Sequence, residues 1–253
     1  MAKKNKTMKK IIAIIPARMG SSRFYGKPLK LINKIPMIQR VYENVKKCSY
    51  IDDVYVATCD QEIKKFIEKI KGNVTMTKKT HTRASDRCAE ALKKIESIKK
   101  NKYDIVLMVQ GDEPMILPHM LNKICKFMLK NKDSLVSNLI TKIDSKLEFN
   151  DPNSIKLVKS KENKAIYFSR KAIPFQKNTL KNVYKQVCAI PFKRNFLLKY
   201  LKLKSTPLEK LESIDMLRVI EYGYAVNLIE VSGKIQSVDT QKDLKKVEKL
   251  IRW

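Results

Sequence analysis

The sequence predicts an α/β fold on a mainly parallel sheet, from three observations. Short β-branched runs recur at 10–16 (KIIAIIP), 53–58 (DVYVAT) and 104–109 (DIVLMV), the pattern of strands buried on both faces. Amphipathic helical patterns lie between them at the spacing of β–α–β units. The length of 253 residues, with 43% hydrophobic and 31% charged side chains, suits one large α/β domain with a substantial core.

The first strand stops at Pro16. A helix over 36–47 puts Met37, Ile38, Val41, Tyr42 and Val45 on one face, with Pro36 in the permitted first turn. After the second strand, Asp60 is an N-cap candidate for a helix carrying Ile63, Phe66, Ile67 and Ile70. A third helix spans about Asp86 to Ile98, ahead of the strand at 104–109. The next runs, 134–140, 154–160 and 185–192, read as strands without full helices between them. An antiparallel subdomain over 134–192 is therefore expected. Residues 206–223 predict one amphipathic helix closed by Gly223, followed by a strand near 226–231. The last helix starts at Thr240, where T-Q-K-D forms a capping pattern. With no repeat or low-complexity linker, a single domain over 1–253 is the simplest organisation.

The net charge of +29 would attract polyanions. Only nine of the 54 basic residues are Arg, however, and the lysines are spread along the chain. No RNP-like aromatic motif, zinc-finger spacing or Arg-packed helix is present, so no specific nucleic acid is expected. A non-catalytic polyanion binder stays open as the alternative, and it predicts steeply salt-dependent binding without turnover. No apolar run approaches the roughly 18–20 residues of a membrane span, so no membrane insertion is expected. The basic start, MAKKNKTMKK, is followed by too short an apolar stretch for a signal peptide. The five cysteines form no C-x-x-C pair, which argues against a zinc site or disulfide framework. A cytoplasmic protein is expected.

Ligands of open α/β sheets bind where strands end and helices begin. The first such place holds PARMGSSRFYGKPL, with Arg18, Arg23 and Lys27 set among Gly20, Ser21, Ser22 and Gly26. Small residues let the backbone approach a ligand while the cations supply charge and donors, so a polyphosphate is the match. The stretch is neither a Walker A loop nor a G-x-G-x-x-G fingerprint. A solvated basic turn is the bland alternative. At 108–115, MVQGDEPM ends a strand in Gln110, Gly111 and Asp112, and Asp112 suits a hard cation such as Mg²⁺. Asp239, in SVDT, offers a second carboxylate from far along the chain. Helix capping is the alternative reading for both.

Taken in order, P-A-R-x4-R-x3-K-P-L, QGDEP, YFSR (167–170), TPLE with Glu209 and Glu212, LR and VDT resemble the CMP-Kdo synthetases, or 3-deoxy-manno-octulosonate cytidylyltransferases. The likeness runs from about residue 10 to 251. It implies a three-layer nucleotidyltransferase fold with a smaller antiparallel dimerisation region, hence a homodimer. It also implies transfer of CMP from CTP to the anomeric hydroxyl of a 3-deoxy-ulosonic acid (Kdo) with Mg²⁺, for lipopolysaccharide or cell-envelope sugar synthesis. Another sialic-like nonulosonic acid is the alternative acceptor. Arg18, Arg23, Lys27 and Asp112 are then the catalytic positions, and Pro16, Ala17, Lys78 and Arg83 join the nucleotide site. Asp112 and Asp239 are the metal ligands. Gln110, Arg170, Gln186, Glu209 and Glu212 are the sugar positions.

Three departures from the family pattern stand out. Tyr25 replaces a proline in the basic loop. HTRASDR (81–87) brings Arg83 and Ala84 where serine and glycine are usual, and an extra guanidinium there is expected to contact the nucleotide or reshape its pocket. QVCAIPF (186–192) replaces H-L-G-I-Y-G-Y, with Gln186 for histidine and Ile190 and Phe192 for tyrosines. Losing those polar groups would change which acceptor hydroxyls are read.

Overall fold

Alternate side chains of β1 (Ile11–Pro16) feed two different cores. Ile11, Ala13 and Ile15 face one, and Ile12 and Ile14 the other, all with no exposed surface. That division follows from the two-residue period of a strand, and it makes the molecule three layers deep. The computed structural model describes residues 9–20, 24–177 and 179–251.

A short hairpin, β2 (Leu31–Ile32) and β3 (Ile35–Pro36), leads into α1 (Met37–Lys46). There follow β4 (Asp53–Thr58), α2 (Gln61–Lys69), β5 (Val74–Met76), α3 (Ala84–Lys99) and β6 (Ile105–Val109). Next come α4 (Pro118–Lys130), β7 (Val136–Lys142), the single-turn α5 (Lys146–Asn150), β8 (Lys156–Lys159) and β9 (Ala165–Ser169). The chain continues through β10 (Tyr184–Val187), β11 (Ala189–Lys193), α6 (Arg194–Tyr200), α7 (Pro207–Glu212) and α8 (Asp215–Glu221). It finishes with β12 (Val226–Glu230) and α9 (Gln241–Leu250).

The main sheet runs β5-β4-β1-β6-β11-β7-β10-β8-β9, with β12 pairing β7 in parallel. β5, β4, β1 and β6 are parallel neighbours. The pairings among β6 to β11 are antiparallel; β7 to β10 lie within 134–192, and β11 joins them to β6 at 105–109. β1 sits between β4 and β6, so the chain leaves β1 and β6 in a crevice at the carboxyl edge. α1, α2 and α4 cover one face, while α3, α6 and α8 cover the other.

Two expectations of local structure are corrected. Residues 185–192 are not one strand, because Cys188 divides them. Its carbonyl accepts the Gln110 amide at 2.9 Å and its own N–H goes to Glu113 Oε1 at 3.0 Å. Cys188 is thereby spent on the loop after β6. The helix expected over 206–223 also breaks, at Ser213, which adopts the left-handed region at φ 55°. Hydrophobic periodicity hid the break, since Ile214, Met216 and Leu217 continue the apolar pattern into the next helix.

Candidate active site

Two loops meet at the carboxyl edge because their backbones are tied together. The Val238 amide donates to the Asp112 carbonyl at 3.0 Å, which brings residues 237–239 against the end of β6. Gly111 permits the approach to β1: an added Cβ would lie 3.1 Å from Ile38 Cδ1 and 3.2 Å from the Pro16 carbonyl oxygen. On the other side, Asp60 Oδ2 accepts the Met19 amide at 2.8 Å. Asp60 thus begins α2 while anchoring the basic loop, and its side chain makes no cap bond.

Lys27 is the centre of the site. Its ammonium lies 2.7 Å from Asp112 and 3.5 Å from Asp239. Burial works to lower the Lys27 pKa, but the two carboxylates prevail and leave it raised. Their convergence on one cation shows that both carboxylates reach a common point, although they stand far apart in sequence. Beside them, burial and then the neighbouring Asp112 carboxylate push Glu113 up to about 7. Only its Oε1 has a partner; Oε2 is buried without one among the described residues.

A cleft of about 1070 Å³ opens over this centre. Pro16, Ala17, Arg18 and Lys27 line it from the first loop, and Gln110 and Asp112 from the second. Asp239 and Arg83 add to it, and Arg170 and Gln186 line the end toward the antiparallel strands. Arg23 falls outside the described residues.

Three expected site residues lie elsewhere. Lys78 is exposed and does not line the cleft; its backbone amide donates to Glu90. Glu209 has no exposed surface, and Arg218 grips both its oxygens at 2.7 and 2.5 Å. Glu212 accepts from Ser169 Oγ at 2.6 Å and the Arg170 amide at 2.9 Å, facing a smaller hollow beside β9. Both glutamates of TPLE-x2-E are thus occupied by protein donors. The cleft wall there is Ser213–Asp215, and Asp215 is the carboxylate the sequence reading passed over. Its helical-run setting disguised it as part of an outer helix face.

Nor does Phe192 reach the cleft. It is fully buried against Phe196 and Tyr200, so a hydroxyl there has no bearing on a ligand in the cleft. Gln186 and Ile190 do line it, and Gln186 Nε2 donates to Asn138 Oδ1 at 2.6 Å.

A model of the cytidylyltransferase family matches residues 12–235, nearly the whole span that builds this sheet and cleft. The chain belongs to the cytidylyltransferase family. The 3-deoxy-manno-octulosonate cytidylyltransferase of Fusobacterium nucleatum is 39% identical over 96% of this chain and 97% of its own length. The mitochondrial enzyme of that name from Arabidopsis thaliana is 37% identical, over 100% of this chain and 87% of its own. A solved CMP:2-keto-3-deoxy-manno-octonic acid synthetase, complexed with CTP, superposes with a TM-score of 0.84. It is 34% identical and covers 96% of this chain and 98% of its own. A 4-diphosphocytidyl-2C-methyl-D-erythritol synthase from Anaerococcus prevotii, at 18% identity and TM-score 0.63, shares the fold. As a cytidylyltransferase the chain is a nucleotidyltransferase enzyme, and its cleft opens at the carboxyl edge of the strands, where open α/β sheets bind ligands.

Proposed function

We propose that this cytidylyltransferase transfers CMP from CTP to the anomeric hydroxyl of Kdo or a close relative, releasing pyrophosphate. The observation that carries the reading is the meeting of Lys27, Asp112 and Asp239 in a cleft at the sheet's carboxyl edge. The full-length relatives bearing the Kdo cytidylyltransferase name support the acceptor.

In the reaction the sugar hydroxyl attacks the α-phosphorus, a new P–O bond forms, and the bond to the β-phosphate breaks with the electron pair leaving on pyrophosphate. The hydroxyl proton passes to solvent water as the new bond forms. Positioning and charge neutralisation lower the barrier for such a transfer. Lys27 and Arg18 supply cationic donors for the phosphates, and Lys27 is held at its post by two carboxylates. Arg170 and Gln186 border the acceptor end.

Mg²⁺ suits the donor set. Among the described residues no cluster of three or more His, Cys, Asp or Glu side chains is arranged for a metal. Mg²⁺ ordinarily takes one or two protein carboxylates and completes its shell with water and substrate phosphates, and Asp112 with Asp239 provide that pair. Bound there, the ion would supply Lewis-acid neutralisation of phosphate oxygens.

Two observations favour a modified acceptor: Gln186 commits its amide nitrogen to Asn138, and Ile190 offers no polar group. The decisive experiment is pyrophosphate release from CTP and Mg²⁺ with Kdo, an 8-amino analogue and N-acetylneuraminic acid, against no-sugar and no-metal controls. Release with Kdo or its analogue, dependent on metal, is expected. Silence with every acceptor would sink the reading.

A homodimer is part of the same proposal. β9 is the last strand of the sheet path, and Ile166 on it is 56% exposed. Leu211, at 81%, borders the hollow beside that strand, an apolar edge suited to a second copy. A cytoplasmic site of action accords with five free cysteines, and no described helix is long and apolar enough to cross a membrane.

A further inference from the structure

Arg83 has cleft exposure but is not a free cation. Its NH1 lies 3.1 Å from Asp215 Oδ1 and its NH2 3.5 Å from Glu209 Oε1. Asp215 Oδ2 accepts from Ser85 Oγ at 3.0 Å, so both carboxylate oxygens are held from the start of α3. Glu209 is gripped from the other side by Arg218, whose guanidinium also sits 4.6 Å over the Tyr200 ring. The Tyr200 hydroxyl in turn donates to the Asp215 carbonyl at 3.1 Å. Two guanidinium groups and two carboxylates thus form a charge-balanced network joining α3, α7 and α8.

Unlike the Lys27 partners, neither carboxylate beside Arg83 belongs to the pair that suits Mg²⁺. Arg83 therefore keeps its partners when a cation joins Asp112 and Asp239, and has little charge left to offer a polyphosphate. What it does offer is position. Residues 213–215, the break between α7 and α8, form the cleft wall at this point, and their only left-handed residue is Ser213. Arg83 ties that wall to the loop that opens α3.

Arg170, at the acceptor end of the cleft, donates from Nε to the Glu212 carbonyl at 2.7 Å, immediately before this wall. We infer that Arg83 is a positioning residue for the acceptor: through Asp215 it fixes the Ser213–Asp215 wall, and it does not bind the nucleotide. The inference rests on the cytidylyltransferase reading above, and wild-type turnover with an acceptor is established first. With that in hand, failure of the pattern below overturns this inference alone.

Four variants test it: Arg83→Met, Arg83→Lys, Asp215→Asn and the double Arg83→Met/Asp215→Asn. CTP affinity is measured by calorimetry, and acceptor KM and kcat at saturating CTP. Arg83→Met is expected to raise acceptor KM roughly tenfold to a hundredfold, as misplaced contacts do, while CTP affinity changes less than about twofold. Arg83→Lys keeps one ion pair and recovers part of the loss. The double variant is no worse than the poorer single variant, because both act through one link. A weakened CTP affinity with unchanged acceptor KM would make Arg83 a nucleotide contact and overturn the inference. Strictly multiplicative losses in the double variant would overturn it too. If Arg83→Met does not fold by circular dichroism, the same split is read from Arg83→Lys and Asp215→Asn.

Discussion

An ammonium lodged between two carboxylates competes for them with any divalent cation that needs the same oxygens. Lys27 is such a group, and its raised pKa keeps it charged throughout the neutral range. Lys27→Met is expected to lower kcat by roughly 10²–10³, the usual loss when a transition-state donor is removed. The same variant should bind Mn²⁺ more tightly than wild type when no nucleotide is present, measured by electron paramagnetic resonance. Glu209 belongs to a different kind of site. Removing one member of a buried ion pair leaves the other charge uncompensated, so Glu209→Ala should cost about 3–5 kcal/mol in denaturant unfolding. If that variant is as stable as wild type and has lost only acceptor affinity, the structural role given to Glu209 fails.

Elements place these residues by the way they begin and end. β1 and β6 are parallel neighbours, so their carboxyl ends deliver Lys27's loop and Asp112 to one edge. Thr240 and Asp243 form the reciprocal cap of α9 immediately after Asp239, which fixes where that carboxylate points from. The loop before α3 is held by Glu90, which contacts His81, Lys94 and the Lys78 amide. Burial works to raise the Glu90 pKa, but Lys94, the Lys78 amide and His81 together bring it down to about 2 from 4.5. A carboxylate held below its free value contributes stability above that value and loses it as pH falls through the folded one. Glu90→Gln should therefore melt below wild type at every pH above about 4.5, with the gap closing as pH falls toward 2. A gap that widened in acid would contradict this pairing.

At the scale of the molecule, the sheet has a covered centre and an exposed rim at β9. Ile166→Lys and Leu211→Lys are expected to shift sedimentation from dimer to monomer, since a charge on an apolar edge opposes pairing. Monomeric wild type would remove the homodimer from the proposal. The net charge of +29 belongs to this scale as well. Spread over the whole chain, it raises the local concentration of any anionic substrate, and added salt screens it.

By itself the sequence determined the α/β layering and the position of the two chemical loops, because strand burial and strand ends leave a strong local pattern. Asp112 was legible at the end of an apolar run, and Lys27 in the loop after another. Their meeting with Asp239 was not derivable from spacing; it came only through resemblance. Only the tertiary structure supplied the backbone bond from Val238 to Asp112. It also decided Glu209, Glu212 and Asp215, which share one acidic, amphipathic stretch. A left-handed turn at Ser213 sends Asp215 to the cleft, while Arg218 and β9 claim the two glutamates. Backbone conformation at one residue and partners distant in sequence settle that choice, and neither is written in the local pattern of apolar and charged residues.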